Sequence, residues 1–134
     1  MSAYKQIQVY QDAKTLAVDI HKMTLNNLPR FEMYEQGQQI RRSSKSVPAN
    51  IVEGYGRRRY KNQFILHLTY AIASLDETKC HLEILCETGS LAENLFSPLY
   101  TQAEELGRRL YRFREAVISQ HHSESASDYQ QVEE

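Results

Sequence analysis

The chain has little of what marks secreted or membrane proteins. No apolar run among its 134 residues approaches the ~18 residues of a membrane span, and the N-terminus lacks the apolar core of a secretory signal. Its two cysteines, Cys80 and Cys86, are six residues apart in one expected helix, about 9 Å apart along its axis and pointing in different directions. They cannot pair, so both are predicted to be reduced residues in or near the core. These absences favour a soluble, cytoplasmic protein.

The sequence also lacks the spacings typical of metal and catalytic sites. Di-iron bundles use a Glu-x-x-His pair on each of two helices, whereas Glu77 and His81 are four residues apart and have no counterpart. His67 and His81 are about 21 Å apart along one helix. No Ser/His/Asp or Cys/His arrangement is indicated, and no glycine-rich phosphate loop follows a strand. We therefore predict a non-enzymatic protein with no cofactor, no metal and no small-molecule substrate.

What is present is the composition of a globular domain, with 41% hydrophobic and 25% charged residues. The formal net charge of -1 argues against a generally basic nucleic-acid binder, but the charge is unevenly distributed. Residues 121–134 contain four acids and no Lys or Arg, which leaves 16 basic and 13 acidic side chains in residues 1–120. We expect one domain over residues 1–120, followed by a polar, acidic and mobile tail at 121–134.

Four segments repeat apolar residues at spacings of three and four, which is the pattern of an amphipathic helix. The first and third span about residues 4–26 and 62–88; the second begins near Glu32, and the fourth at Ser97-Pro98, as N-cap and first helical residue. The inward positions are Val9, Ala13, Leu16, Ile20, Met23; Ile40, Ser44, Val47, Ile51, Tyr55; Phe64, Leu68, Ala71, Ile72, Leu75, Leu82, Leu85; and Leu99, Ala103, Leu106, Leu110, Phe113, Val117. No strand pattern competes. Short connections then predict an all-α, up-down-up-down four-helix bundle.

Residues 38–61 combine strong positive charge with helix-breaking residues. Glu53 is the only acid among seven basic side chains: Arg41, Arg42, Lys45, Arg57, Arg58, Arg59 and Lys61. Pro48 removes a backbone donor and collides with the Ser44 carbonyl, so we expect the second helix to be kinked there. Gly54 and Gly56 are expected to end that helix in the left-handed conformation. Asn50 and Glu53, three residues apart on a helix, could share one partner, and we expect them to satisfy the donors around the kink rather than to act in catalysis.

Residues 39–68 read QIRRSSKSVPANIVEGYGRRRYKNQFILHL, and AIASLDE follows at 71–77. This run resembles the signature of small four-helix-bundle proteins related to those encoded by intervening sequences in bacterial 23S rRNA genes. A weaker likeness at residues 4–10 extends the resemblance over most of residues 4–120. It implies a ring-like homopentamer and an association with RNA or a ribonucleoprotein. Distant relatives of this fold are strongly basic accessory proteins of retroelement reverse transcriptases, and the net charge of -1 departs from them.

The basic side chains support alternative hypotheses. In the first, a homo-oligomeric scaffold or accessory protein binds RNA phosphates through the seven basic residues, and Tyr55 and Tyr60 stack on unpaired bases. In the second, the assembly is purely structural or protein-binding, and the arginines form salt bridges, for example Arg42 with Glu53 or with an acid of a neighbouring subunit. Ordinary solvated charge is a third possibility. Four tyrosines off the helix seams favour a subunit interface: Tyr10, Tyr70, Tyr100 and Tyr111.

Overall fold

The computed structural model describes residues 3–120. Within that range the chain forms four long helices: α1 Gln8–Asn26, α2 Gln36–Gly56, α3 Lys61–Glu87 and α4 Glu93–Ser119. Two short 3-10 turns, Ala3–Gln6 and Arg30–Tyr34, precede α1 and α2, and no strand occurs among these residues. The all-α prediction is confirmed. The expected tail at 121–134 lies outside the described residues, so the domain boundary stays a prediction.

The helices form a square bundle with neighbours in chain order. α1 packs beside α2 and α4, and α3 packs beside α2 and α4, with α2 against α3 the most extensive contact. Because the connections are short, consecutive helices are antiparallel. The α1–α2 and α3–α4 connections therefore lie at one end of the bundle, and the α2–α3 connection lies at the other.

The core lies where the three-four spacing places it. The inward positions of α1 and α2 are all buried; in α3 and α4 only Ile72 and Leu99 stay partly accessible. Phe64 links Tyr55 and Phe113 by edge-to-face contacts, both with ring centroids 6.1 Å apart. Full burial of a large apolar side chain contributes about 1.5–3 kcal/mol to folding, so these seams hold the bundle together.

The predicted start of α4 is wrong. The helix begins at Glu93, and Pro98 lies inside it. Leu95 and Phe96 pack against the core, and their amides both donate to the Ala92 carbonyl, which continues the helix on the N-terminal side of Pro98. Apolar packing therefore outweighs the hydrogen bond that the proline cannot make.

The second helix differs in part from its prediction. The 3-10 turn Arg30–Tyr34 occupies its expected first turn, and α2 then runs through Pro48 without interruption. A kink at Pro48 stays a prediction. α2 does end at Gly56, but neither Gly54 nor Gly56 has a positive φ; among described residues only Gly89, after α3, does, at 84°.

The two thiols also differ from expectation. Both are free, but Cys80 is exposed rather than in or near the core, and Cys86 is partly accessible. Cys86 donates to a carboxylate oxygen of Glu93 over 3.1 Å. This hydrogen bond raises the pKa of the Cys86 thiol above its usual value, with smaller contributions from burial and from nearby negative charge. Cys86 is therefore a poor nucleophile at neutral pH.

Candidate nucleic-acid interface

A line of polar side chains joins α2 to α3 along the whole length of α2. Four hydrogen bonds cross between the helices, and we call them the polar seam. The pairs are Gln36 with His81, Ser43 with Thr78 (2.8 Å), Ser46 with Ser74 (3.0 Å) and Asn50 with His67 (3.2 Å). Ser43 and Thr78 are buried, and the other three pairs are partly buried. Because buried polar groups without partners are costly, the Ser43–Thr78 pair in particular favours one alignment of α2 against α3, and the other pairs agree with it. The serine-rich part of the motif thus sets helix register.

Asn50 acts within this polar seam. Its Nδ2 donates to the Ser46 carbonyl over 2.9 Å and to the Ser46 hydroxyl over 3.0 Å, which turns its Oδ1 towards His67 Nδ1. It does not bond the Ser44 carbonyl, which lacks its helical donor because of Pro48. It also shares no partner with Glu53, contrary to the expectation, because Glu53 accepts instead from Arg57.

Gly54 allows the closest approach of α2 to α3. A Cβ atom there would lie 3.0 Å from the Cβ of His67 and 3.2 Å from Cδ1 of Phe64. A larger residue would require these neighbours to shift by a few tenths of an ångström at the point where α2 ends. Gly54 therefore serves helix packing and fixes where the α2–α3 connection leaves the bundle.

That connection, residues 57–60, and Lys61 at the start of α3 form the basic end of the molecule. Arg57 Nε bonds Glu53 over 3.0 Å, with both side chains about half exposed at 51% and 50%. The Arg58 guanidinium lies 4.1 Å from the centre of the Tyr55 ring and donates to the Tyr55 carbonyl over 2.9 Å. Arg58 thus closes the C-terminus of α2, where cations are favoured.

The rest of the basic end is open to solvent. Arg59 is exposed and Lys61 partly so, and neither forms an ion pair with another described residue. Tyr60 lies between them with 68% of its surface exposed. Proteins that bind single-stranded nucleic acid combine cations that follow the phosphates with aromatic rings on which the bases stack. Arg59, Tyr60 and Lys61 offer both kinds of group.

Two predicted contact residues are turned inward. Tyr55 is 3% exposed and packs against Phe64, so it has no face to offer a base. The Arg41 guanidinium donates to Thr24 Oγ1 over 3.0 Å and to the Met33 carbonyl over 2.6 Å. It anchors the turn before α2 and does not belong to an open basic surface.

Arg42 and Lys45 are exposed on the outer face of α2. With Ala49, Glu53 and Gly56 they follow one another at spacings of three and four, so one stripe leads from Arg42 to the basic end. Arg42 stands about 16 Å along the helix from Glu53, which rules out the predicted pair within one chain. Glu53, bound to Arg57, is the only acid on this stripe.

The opposite end of the bundle carries a surface that the spacing of apolar residues did not reveal. In the turn Arg30–Tyr34, Phe31 is 68% exposed and Tyr34 81% exposed. Both follow Leu28-Pro29, outside any helical repeat, so a search for periodic positions passes over them. Two large rings in a polar turn after a proline were the available signal.

Tyr100 has an altered acidity. Its hydroxyl donates to Glu83 over 2.5 Å. This bond, with lesser effects of burial and of the negative charge on Glu83, Glu104 and Asp76, raises the pKa of Tyr100 to about 12. The phenol therefore stays neutral and bound to α3 throughout the physiological range. Its role is to join α3 to α4.

Within residues 3–120, no group of three or more His, Cys, Asp or Glu side chains is placed to hold a metal ion. No helix in the same range combines the length and apolar character needed to cross a bilayer.

Comparison with known proteins gives one family and one fold. The family model described as "23S rRNA-intervening sequence protein" matches residues 5–112. A crystal structure of a protein of unknown function from the S23 ribosomal protein family of Bacteroides thetaiotaomicron superposes with a TM-score of 0.72 at 23% identity, covering 84% of this chain and 99% of that one. No curated protein matches the chain. Neither description names an enzymatic activity.

Proposed function

The chain belongs to the 23S rRNA-intervening sequence protein family, and from this premise we propose a non-enzymatic, homo-oligomeric scaffold or accessory protein that binds RNA or a ribonucleoprotein through its basic end. A pentamer is the assembly expected from the family resemblance. The RNA contacts proposed are Arg57, Arg59, Tyr60 and Lys61, extended along α2 by Arg42 and Lys45. Arg58 is a positioning residue that holds the end of α2.

The arrangement of Arg59, Tyr60 and Lys61 carries the proposal. A cation neutralised by an acid has little to gain from a phosphate, but Arg59 and Lys61 have no such partner among the described residues. Tyr60 between them presents a ring for stacking, which contributes about 1–3 kcal/mol per base. In an oligomer the same surface repeats in every subunit, so phosphate contacts multiply.

The runner-up is a purely structural or protein-binding oligomer whose arginines form interface salt bridges. The Arg57–Glu53 pair favours it, because this pair shows that one arginine of the cluster already serves an ion pair. It is an exposed i,i+4 pair, however, of a kind that contributes about 0.3–0.5 kcal/mol. Such a weak pair leaves Arg57 available to a phosphate.

RNA affinity measured across a salt series tests the proposal. A single-stranded RNA of mixed sequence should bind with an affinity that falls steeply as salt rises. Arg57→Ala/Arg59→Ala/Lys61→Ala removes three cations and leaves Arg58 in place, so the bundle should stay folded. If each contacts a phosphate, the slope of log affinity against log salt should become shallower by roughly 2 per subunit.

A variant of equal charge provides the control. Lys14 and Lys22 are exposed along α1, a helix that carries none of the proposed contacts. Replacing both with Ala removes as much charge as Arg59→Ala/Lys61→Ala does, and it should leave the salt slope nearly unchanged where that matched pair makes it shallower. Equal loss of affinity in both variants would show that RNA binding depends on net charge alone and not on the basic end. Loss of the oligomer with Arg57, Arg59 and Lys61 replaced would instead support the interface salt bridges.

A further inference from the structure

The turn Arg30–Tyr34, with Glu35 after it, holds two aromatic rings in solvent; we call these six residues the aromatic turn. Phe31 and Tyr34 are 68% and 81% exposed. The backbone between the two rings is held in place, because the side chain of Glu32 is bound to other parts of the chain.

Glu32 provides that anchor. It is 6% exposed, and its carboxylate accepts from the Ser90 hydroxyl over 2.6 Å and from the Gln36 amide over 3.2 Å. Arg41 holds the next residue through the Met33 carbonyl. The two rings on either side of Glu32 are thereby presented outward from a rigid base. Rigid aromatic side chains that need little ordering on binding are typical anchors of protein interfaces.

A groove of about 490 Å³ lies on the other side of the bundle, between α3 and α4. Its apolar lining comes from Ile72, Leu75 and Tyr111, with Gly107 among them. A Cβ at Gly107 would meet only Leu75, at an ordinary 3.5 Å, so this glycine leaves the groove open rather than relieving a clash inside the chain. The volume is in the range of sites that enclose large apolar groups.

One chain cannot fill its own groove. The aromatic turn packs against α1 and α2, whereas the groove lies between α3 and α4 on the far side of the square. The charges also correspond. Arg30 and Glu35 bracket the rings of the turn. In the groove Asp76 is already paired with Lys79 over 3.9 Å, which leaves an acid at Glu104 and exposed cations at Arg108 and Arg112.

We propose that the aromatic turn of one copy of this chain docks in the α3–α4 groove of the next. The inference rests on the oligomer in the proposed function and deepens it by assigning the two surfaces. Such a contact is heterologous, because different faces of the two copies meet. Phe31 and Tyr34 enter the groove beside Gly107, and the charges of the turn meet those of opposite sign at the groove.

Two variants, each defective in one surface, test the inference by sedimentation equilibrium. Phe31→Ser/Tyr34→Ser removes the rings, and Gly107→Gln fills the groove with a residue that favours helix. Each variant should sediment as a monomer where the native chain is an oligomer, with a dissociation constant raised about 30-fold or more, as for hot-spot residues. Unchanged circular dichroism shows that each variant is folded.

Mixing the two variants gives the sharper result. The Phe31→Ser/Tyr34→Ser copy keeps an open groove, and the Gly107→Gln copy keeps its rings. The rings of the second can therefore dock in the groove of the first, and a 1:1 heterodimer should form that cannot add further copies. Tyr60→Ser, at the basic end, removes a ring with the same 68% exposure as Phe31 and should assemble as the native chain does.

The outcomes separate this inference from the proposed function. A native oligomer that both variants retain, or variants that stay monomeric when mixed, would overturn the assigned surfaces alone. A native chain that sediments as a monomer would overturn the oligomer of the proposed function as well. RNA affinity of the Phe31→Ser/Tyr34→Ser monomer, tested separately, reports on the basic end without the assembly.

Discussion

The two ends of the bundle each expose an aromatic ring to the same extent, Phe31 at one end and Tyr60 at the other, both 68%. Their supports are different. Phe31 is next to a buried carboxylate that binds two other segments of the chain. Tyr60 is in a short connection between two helices, with cations on both sides. Equal exposure therefore has two different settings: a ring on an anchored backbone at the aromatic turn, and a ring flanked by cations at the basic end.

The comparison shows that exposure alone does not define a binding surface. At the aromatic turn, the hydrogen bonds that Glu32 accepts and the one that Arg41 donates fix the backbone, so the rings are positioned before any partner arrives. At the basic end, Gly54 and Arg58 fix only where α2 stops, and the cations beyond keep their freedom. A protein interface gains from the first arrangement, and a flexible polyanion tolerates the second.

The two ends should differ most in how much stability changes when a glycine of α2 is replaced. A Cβ at Gly37, beside the aromatic turn, would lie 2.4 Å from the Glu32 carbonyl oxygen, whereas a Cβ at Gly56 would meet nothing within 4 Å. Gly37→Ala should lower the free energy of unfolding by about 3 kcal/mol, the upper end of the usual cost of overpacking, because the clashing atom belongs to the backbone. Gly56→Ala should be neutral or raise it by up to about 1 kcal/mol. Urea unfolding measures both, and equal effects would show that the aromatic turn is not rigid.

The carboxylates should differ next. Glu32→Gln places an amide nitrogen or a weaker acceptor against the Ser90 hydroxyl and the Gln36 amide, in a site that is 6% exposed. We expect a loss of about 1–3 kcal/mol in the free energy of unfolding. Glu53→Gln, at the basic end, should lose only about 0.3–0.5 kcal/mol. Comparable losses in thermal or urea unfolding would contradict the assigned anchoring role of Glu32.

The smallest effect should be the alkaline response of Tyr100, which joins α3 to α4 in the half of the bundle nearer the aromatic-turn end. Folding raises its pKa from 10.0 to about 12, so the folded state holds the proton more tightly than the unfolded state. Its contribution to stability is fully present below pH 10.0 and is lost as pH rises towards about 12. Tyrosinate absorbance should contain one late component, which Tyr100→Phe removes. A titration unchanged by that substitution would exclude the Glu83 hydrogen bond as its cause.

Helix positions follow from sequence where a single helix decides them. The spacing of apolar residues alone predicts the seam of α1, and every residue of that seam is buried. A helix with a single apolar stripe is stable only with that stripe turned towards the core. Tyr55 had the same signal, four residues after Ile51 on the seam of α2, and this spacing correctly indicated burial. Its assignment to base stacking was wrong because nearness to arginines in sequence outweighed its place on the seam.

Errors arose where two segments decide a position together. Pro98 appeared to begin α4 because proline suits a first turn, but Leu95 and Phe96 extend the helix backwards by packing on the core. The sequence places Arg41 among the basic contacts, but its guanidinium binds Thr24 and Met33, which lie on other elements of the fold. The local sequence predicts neither the packing of Leu95 and Phe96 nor the hydrogen bonds of Arg41, because both depend on other parts of the fold.

The sequence by itself determined the class of fold, the faces of the helices and the concentration of positive charge near the α2–α3 connection, because these depend on spacing within one segment. Only the tertiary structure decided which polar side chains pair across the polar seam, which arginines stay free, and that Phe31 and Tyr34 stand outside the core. Those outcomes depend on which segments meet in space. Whether a residue of this molecule belongs to the packing motif or to a candidate binding surface depends more on its partners than on its type.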